Sequence, residues 1–169
     1  MDLVAFFSWF SAWSQSLAES FGYFGIFFVS FIGSATIIFP IPSFIVVFTF
    51  GALLNPWLVG VAAALGAAVG ELTGYGIGLA GEKAMQKKHE YWLKKANKWM
   101  EKYDAFLVIA FFAATPLPDD VLGIFCGAIK YDVRKFFAAS LSGKLVMNIS
   151  LALGGYYGMQ WVLSVFGGA

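Results

Sequence analysis

Long apolar runs dominate this chain, and they are broken at two corresponding places. Residues 40–51 read PIPSFIVVFTFG and residues 116–127 read PLPDDVLGIFCG, so the second segment repeats the first 76 positions later. The shift brings two pairs of prolines into register, namely Pro40 with Pro116 and Pro42 with Pro118. Each proline removes an N–H donor and clashes with the preceding turn, so a helix breaks there. Broken apolar segments at matching places in two halves are typical of transporter substrate sites.

Two further apolar stretches are uninterrupted and long enough to cross a membrane. Residues 57–81 and 133–157 are each predicted to form one spanning helix, since about 20 apolar residues cross a hydrocarbon core about 30 Å thick. The broken segments, residues 24–54 and 105–129, are predicted to form re-entrant helical hairpins that turn near the prolines.

The remaining segments lie outside this repeated pattern. Residues 1–20 alternate apolar and polar faces and are predicted to lie as an amphipathic helix in the membrane interface, with a spanning helix as the alternative. Residues 82–104 contain seven lysines and no arginine and are predicted to form a basic amphipathic surface helix. Residues 158–169 are apolar and Gly-rich, and the pattern does not place them.

Counting membrane crossings predicts the relation between the halves. A re-entrant hairpin enters and leaves on one side, and the single spanning helix after it changes sides, so the second hairpin enters from the opposite face. The expected fold is therefore an all-α integral membrane protein of two inverted repeats, forming one membrane domain over residues 1–169 with amphipathic surface helices. An excess of lysine and arginine marks cytoplasmic loops, which places residues 82–104 in the cytoplasm.

Composition supports the membrane assignment and excludes other classes. Of the 169 residues, 60% are hydrophobic and 12% are charged, against about 25% charged in soluble domains. The expected location is the cell membrane if the source is prokaryotic, as a multi-pass protein. A net charge of +1 gives no support to nucleic-acid binding. One cysteine, one histidine and no nucleophile–base pair predict neither an enzyme nor a metal or cofactor site.

Five polar residues stand out in the apolar background: Glu71, Asp119, Asp120, Lys144 and Asn148. A charged side chain at the centre of a membrane helix costs at least about 2.5 kcal/mol and is a functional candidate for that reason. These residues are expected to converge on one central cavity as a pathway for substrate or protons. The alternative is structural, with Glu71 and Lys144 as a buried pair and the aspartates capping a helix.

The balance of charge leaves the coupling mode open. Three carboxylates face one lysine, so at least one is expected to hold a proton near neutral pH. This excess of negative charge is compatible with proton coupling or with cation binding, and the sequence does not separate the two. Lys130 and Arg134 lie nearer the surface and are expected to face lipid headgroups.

Small residues predict close packing of the first spanning helix. Four glycines follow one another at every fourth position, which lets helix backbones approach closely in lipid: Gly66, Gly70, Gly74 and Gly78. The same stripe would also suit association of two copies of the chain.

Together these motifs resemble the DedA family, also called VTT-domain or SNARE-associated membrane proteins, and look closest to its small YqaA-type branch. The resemblance covers roughly residues 24–161 and rests on PIPS, GAAVGELTGYGIG, FFAATPLPDDVLGIFCGAIKY and SGKLVMN in this order. Glu71 and Asp120 match acidic positions of the family and of the branch. Many bacterial relatives carry arginines where this chain has Ala113 and Asp119, so headgroup binding by those arginines does not carry over.

The resemblance implies movement of lipids between bilayer leaflets, as in phospholipid scramblases and polyprenyl-phosphate translocases. We therefore expect a lipid scramblase or flippase whose partners are membrane lipids, anionic ones included. A proton-coupled transporter of a small solute or ion uses the same acidic residues but needs a closed cavity. A non-transporting membrane scaffold is the third hypothesis, and it would use the glycine stripe for association.

Overall fold

The computed structural model describes residues 20–36, 43–81, 104–115 and 120–166, together with Ser16 and Lys98. Every regular element in these residues is an α-helix, which confirms the predicted all-helical class. The helices are α1 (Tyr23–Ala35), α2 (Ser43–Leu53), α3 (Pro56–Ala80), α4 (Ala105–Ala113), α5 (Asp120–Ala128) and α6 (Val133–Phe166). The predicted surface helices over residues 1–20 and 82–104 lie almost wholly outside the described part of the chain.

Two of these helices, α3 and α6, have the length and composition to cross a membrane, as predicted. Each begins at a side-chain cap. The Asn55 carboxamide oxygen accepts the N–H groups of Trp57 and Leu58, and the Asp132 carboxylate accepts those of Arg134 and Lys135. Such caps satisfy N–H groups that have no partner inside the helix. The C-terminal residues that the pattern left unplaced continue α6 as far as Phe166.

The two long helices pack side by side in opposite directions. Near the start of α3, Gly60 faces Ile149 of α6. Near the end of α3, the Tyr75 ring packs against the Phe136 ring of α6, with ring centroids 5.3 Å apart. As the residue number rises along α3, it falls along α6. The start of α3 therefore lies beside the second half of α6, and its end lies beside the beginning of α6.

The four shorter helices cover this central pair in a repeated manner. Helix α1 packs on α3 and α4 packs on α6, so each lies against the long helix of its own half; α2 packs on α6 and α5 packs on α3, across to the other half. The contacts correspond in detail, since Gly155 lies against Phe48 and Gly78 lies against Ile124, the residue 76 positions after Phe48. The two halves thus make matching contacts, while inversion across a membrane and re-entrant hairpins stay predictions.

Two apolar clusters hold the bundle together. The first joins α1, α2, α3 and α6 around Ile26, Val47 and Val59. The second lies at the other end, around Tyr75, Ile109, Cys126, Phe136 and Ala139. Along both long helices, the segment between these clusters is where polar side chains are buried.

The outside of the bundle is also apolar, as a lipid environment requires. Each of the six helices exposes large hydrophobic side chains, among them Phe24, Leu53, Trp57, Phe111, Val121 and Val146. A water-soluble monomer rarely exposes apolar patches of this extent. The candidate spans and this exterior indicate a membrane protein.

Candidate functional site

Four of the five buried polar or charged side chains in the described residues lie together between α3 and α6: Glu71, Ser140, Lys144 and Asn148. Glu71 comes from α3 and is 4% exposed. The other three follow one another at every fourth position of α6, so they share one face of that helix. We call these four residues the polar cluster.

An ion pair forms the centre of the polar cluster. Lys144 Nζ lies 2.8 Å from Glu71 Oε1, and the Ser140 hydroxyl donates a hydrogen bond to Glu71 Oε2. Both oxygens of the carboxylate therefore have a partner on α6. A buried charge is tolerable when it is paired and hydrogen-bonded in this way.

Asn148 occupies the next turn of α6 but does not extend this pair across the interface. Its amide nitrogen donates a hydrogen bond of 2.9 Å to the backbone carbonyl of Lys144, one turn earlier in the same helix. This bond satisfies one N–H group of the buried amide and fixes the direction of the side chain. Of the predicted pathway residues, Glu71 and Lys144 are thus in direct contact, and Asn148 lies beside them.

Helix α5 packs against α3 one turn beyond Glu71. A Cβ on Gly127 would overlap the backbone of Tyr75, and Gly123 lies beside the Glu71 carbonyl, at 3.5 Å from where its Cβ would be. The Tyr75 hydroxyl donates a hydrogen bond of 2.6 Å to the Tyr131 carbonyl just after α5. These contacts hold α5 and the corner that follows it at a fixed distance from the polar cluster.

The corner between α5 and α6 carries the predicted headgroup-facing residues. Lys130 and Arg134 are both exposed there, and Lys130 has a left-handed backbone with φ of 56°. Next to them, the Lys135 and Arg134 backbone N–H groups bind the Asp132 carboxylate and hold its pKa below the ordinary value. A hydrogen bond to the ionised form favours that form.

The remaining predicted pathway residues are not part of the described geometry. Asp120 is the first residue of α5, but its side chain lies outside the described part, as does the whole of Asp119. The four prolines at the predicted hairpin turns also lie outside it: Pro40, Pro42, Pro116 and Pro118. Each proline pair nonetheless falls between two helices. Helix α1 ends at Ala35 and α2 begins at Ser43, while α4 ends at Ala113 and α5 begins at Asp120.

The glycine stripe of α3 packs within the chain. A Cβ on Gly66 would overlap the Phe27 carbonyl of α1, one on Gly70 would crowd Phe31 and Ser34, and one on Gly78 would overlap the Ile124 carbonyl of α5. Gly74 is buried as well. These contacts use the stripe for packing inside one chain.

Sequence reasoning did not single out Ser140. A serine in an apolar helix is a weak signal by itself. The spacing of Ser140, Lys144 and Asn148 on one helix face was the pattern that could have identified it, since side chains four residues apart lie above one another.

Comparison with known protein families gives one match that covers this site. The family model described as VTT domain matches residues 41–157, more than two thirds of the chain, and this range contains the whole polar cluster. The family resemblance is therefore confirmed, whereas the YqaA-type branch stays a prediction. No curated protein and no solved structure matches the chain.

Proposed function

Because the chain belongs to the VTT domain family, a membrane-associated and transport-related family, we propose that it moves lipids between the two leaflets of a bilayer. The substrates are lipids with a phosphate in the headgroup, of the phospholipid or polyprenyl-phosphate type. In this proposal the protein is a multi-pass transport protein rather than an enzyme, located in the cell membrane if its source is prokaryotic, and its partners are the lipids themselves.

The buried pair of Glu71 and Lys144 carries this proposal. Glu71 lies nine residues from the end of α3 and Lys144 eleven residues from the start of α6, about 14 Å and about 17 Å along the two helix axes. Half of a hydrocarbon core is about 15 Å. If both helices span the membrane, the pair lies close to its middle, where a passing headgroup meets the highest barrier.

At that depth, Lys144 can exchange its carboxylate partner for the phosphate of a lipid headgroup. Lys144 is bound to a carboxylate, so a headgroup phosphate can replace Glu71 as its partner while Ser140 keeps its bond to the carboxylate. The exchange keeps the buried ammonium paired. It leaves the Glu71 carboxylate with the Ser140 hydrogen bond but without its cation, and the contact between phosphate and lysine has to offset that cost. The headgroup can therefore pass a cation that is paired with an anion both before and during its passage.

The groove around the pair is built, in this proposal, from two re-entrant hairpins in inverted repeats. The matching contacts of Phe48 with Gly155 and of Ile124 with Gly78 support a two-fold relation between the halves. Asp119 and Asp120 would line the turn of the second hairpin. Lys130 and Arg134, exposed at the α5–α6 corner, would collect anionic headgroups at the cytoplasmic end.

A lipid translocation assay in proteoliposomes tests the function. Reporter phospholipids are followed as they change leaflets, with the wild type, Lys144→Gln and Lys135→Gln. Lys135 is exposed on the same helix and undergoes the same chemical change, which makes it a matched control. We expect at least a tenfold lower rate for Lys144→Gln and little change for Lys135→Gln. A wild type no faster than protein-free vesicles would end the proposal.

Proton-coupled transport is the second candidate, and the buried Glu71 carboxylate favours it. A pH gradient across the same vesicles separates the two. Lipid movement that is independent of the gradient supports passive scrambling, whereas solute uptake driven by the gradient supports the transporter. The scaffold hypothesis loses its main argument, because Gly66, Gly70 and Gly78 pack inside the chain.

A further inference from the structure

A cavity lies outside the polar cluster, at the end of the bundle where α3 begins. It has a volume of about 360 Å³ and three aromatic side chains in its lining, Trp57 of α3 and Tyr156 and Tyr157 of α6, together with Asn55 and Leu153. We call it the aromatic pocket. Because α3 and α6 run in opposite directions, it lies at the end opposite the basic residues of the α5–α6 corner.

No charged side chain belongs to the described residues around the aromatic pocket. Helix α2, residues 56–70 of α3 and residues 145–166 of α6 contain neither acidic nor basic residues. Metal ions and primary ammonium groups are strongly hydrated and need oxygen ligands or a carboxylate in place of their water. The pocket is therefore unsuited to such cations.

The backbone donors at this helix start are already used. Asn55 accepts the N–H groups of Trp57 and Leu58 at 3.0 and 3.3 Å, its carbonyl accepts that of Val59, and Pro56 has none. A polyol headgroup needs several donors and acceptors when it leaves water. Besides the backbone donors, the lining side chains offer two tyrosine hydroxyls, an indole N–H and the Asn55 amide group. The feature that favours a quaternary ammonium group over a polyol is therefore the presence of three aromatic faces.

The aromatic rings of the pocket can be reached from outside. Those of Tyr156 and Tyr157 have centroids 5.3 Å apart and planes at 76°, so they meet nearly at a right angle. Trp57 and Tyr157 are 58% and 62% exposed. Recognition of quaternary ammonium groups uses aromatic faces, because these weakly hydrated cations are attracted to the ring quadrupole without hydrogen bonds.

We propose that the aromatic pocket binds the quaternary ammonium group of a choline-type lipid headgroup in the leaflet at this end of the bundle. The pocket opens beside exposed apolar side chains such as Leu53 and Trp57, which places a lipid rather than a free solute next to it. The claim that choline lipids are substrates rests on the proposed lipid translocation. The claim that the aromatic pocket binds a quaternary ammonium group can be tested without any transport.

The binding test uses the full chain in maltoside micelles, which contain no choline. Phosphocholine binding is followed by saturation-transfer NMR of its methyl signal, with tetramethylammonium, ammonium or glycerol as competitor. We expect tetramethylammonium to displace the probe and the other two to leave it bound. Displacement by glycerol alone would identify a polyol site and overturn the proposal, as would absence of any phosphocholine signal.

Variants locate the binding. Trp57→Leu is expected to weaken phosphocholine binding about tenfold, and Trp57→Phe to retain most of it. Trp161→Leu is the matched control, because Trp161 is an exposed tryptophan of α6 outside the pocket lining. Equal loss in both leucine variants would mean a general effect of interfacial tryptophan and would overturn the assignment. The competition on the wild type decides the question even if Trp57→Leu does not fold.

Proteoliposomes connect the pocket to transport. The ratio of phosphatidylcholine to phosphatidylglycerol movement is expected to fall in Trp57→Leu and to stay at the wild-type value in Trp161→Leu. Binding without movement of any lipid would refute the proposed function and leave the site intact. Movement of both lipids with an unchanged ratio and no headgroup binding would refute the pocket and leave the function intact.

Discussion

Lys144 of α6 reaches across to Glu71 of α3, with its ammonium nitrogen 2.8 Å from a carboxylate oxygen. Both side chains are buried, and Ser140 binds the second carboxylate oxygen. The contact links the two helices able to cross a membrane. It raises the question whether the pair only holds the bundle together or also takes part in transport.

Removing one partner of this pair is expected to destabilise the protein. Glu71→Gln leaves the Lys144 ammonium buried opposite a neutral amide, and such uncompensated charges cost about 3–5 kcal/mol. The double variant Glu71→Gln/Lys144→Met removes both charges and should recover most of the loss. Reversible denaturant unfolding in detergent measures both. Equal stability of the wild type and Glu71→Gln would contradict an ion pair in the folded state.

The double variant also separates structure from function. If the pair is purely structural, the stabilised double variant moves lipid at the wild-type rate. If Lys144 exchanges its partner for a headgroup phosphate, the double variant is folded yet at least tenfold slower. The measurement compares the transport rates of the wild type and the double variant, after size-exclusion elution has shown that both are folded.

The sequence was sufficient to predict the two spanning-length helices and the all-helical class, since uninterrupted apolar runs have few alternatives in lipid. It was insufficient to decide which polar residues touch, because the pairing of Glu71 with Lys144 was only one of two alternatives and Ser140 was not among the candidates. The repeat shift makes Glu71 equivalent to Met147, but equivalent positions are not contacts. In an antiparallel pair, a residue further along one helix meets a residue earlier in the other, so Glu71 meets Ser140 and Lys144.

The aromatic pocket could not be predicted for a similar reason. Trp57 and Tyr156 are about 100 residues apart in the chain, and each has an ordinary explanation as an interfacial aromatic. Only the antiparallel packing of α3 and α6 brings the start of one helix to the far half of the other. Interfacial aromatics become a pocket through that packing alone.

The close approach of α3 and α5 predicts opposite effects for two neighbouring glycines. A Cβ on Gly78 would overlap the Ile124 carbonyl, whereas one on Gly76 would meet nothing within 4 Å. Gly78→Ala is therefore expected to destabilise the protein by about 1–3 kcal/mol through overpacking. Gly76→Ala should be neutral or stabilising by up to about 1 kcal/mol, because alanine favours a helix. Thermal unfolding of both variants checks this, and similar effects would contradict the contact.

The Asp132 cap predicts a dependence of stability on pH. The Lys135 and Arg134 N–H groups keep the pKa of this carboxyl below its ordinary value of 3.8. A lowered pKa in the folded state means that the carboxylate stabilises the protein above pH 3.8 and loses this effect as the pH falls through the lower, folded-state pKa.

Asp132→Asn keeps an acceptor for these N–H groups but does not titrate. The wild type should be more stable than this variant at pH 7, and the difference should shrink at pH values below 3.8. Asp132→Ala removes the acceptor and should be less stable than the Asn variant at every pH. Thermal unfolding across this pH range measures the differences, and a gap that widens on acidification would show that the sign is wrong.

The corner after α5 contains a backbone conformation that its residue does not favour. Lys130 has φ of 56°, and the surrounding bonds form a Schellman motif, with Tyr131 N–H bonded to the Cys126 carbonyl and Lys130 N–H to that of Gly127. A left-handed residue with a Cβ costs about 1–2 kcal/mol, which glycine avoids. Lys130→Gly is thus expected to be more stable than Lys130→Ala by about 1 kcal/mol, because both lose the lysine and only glycine relieves the backbone. Denaturant unfolding of the two variants measures the difference directly, and an alanine variant as stable as the glycine variant would exclude the left-handed corner.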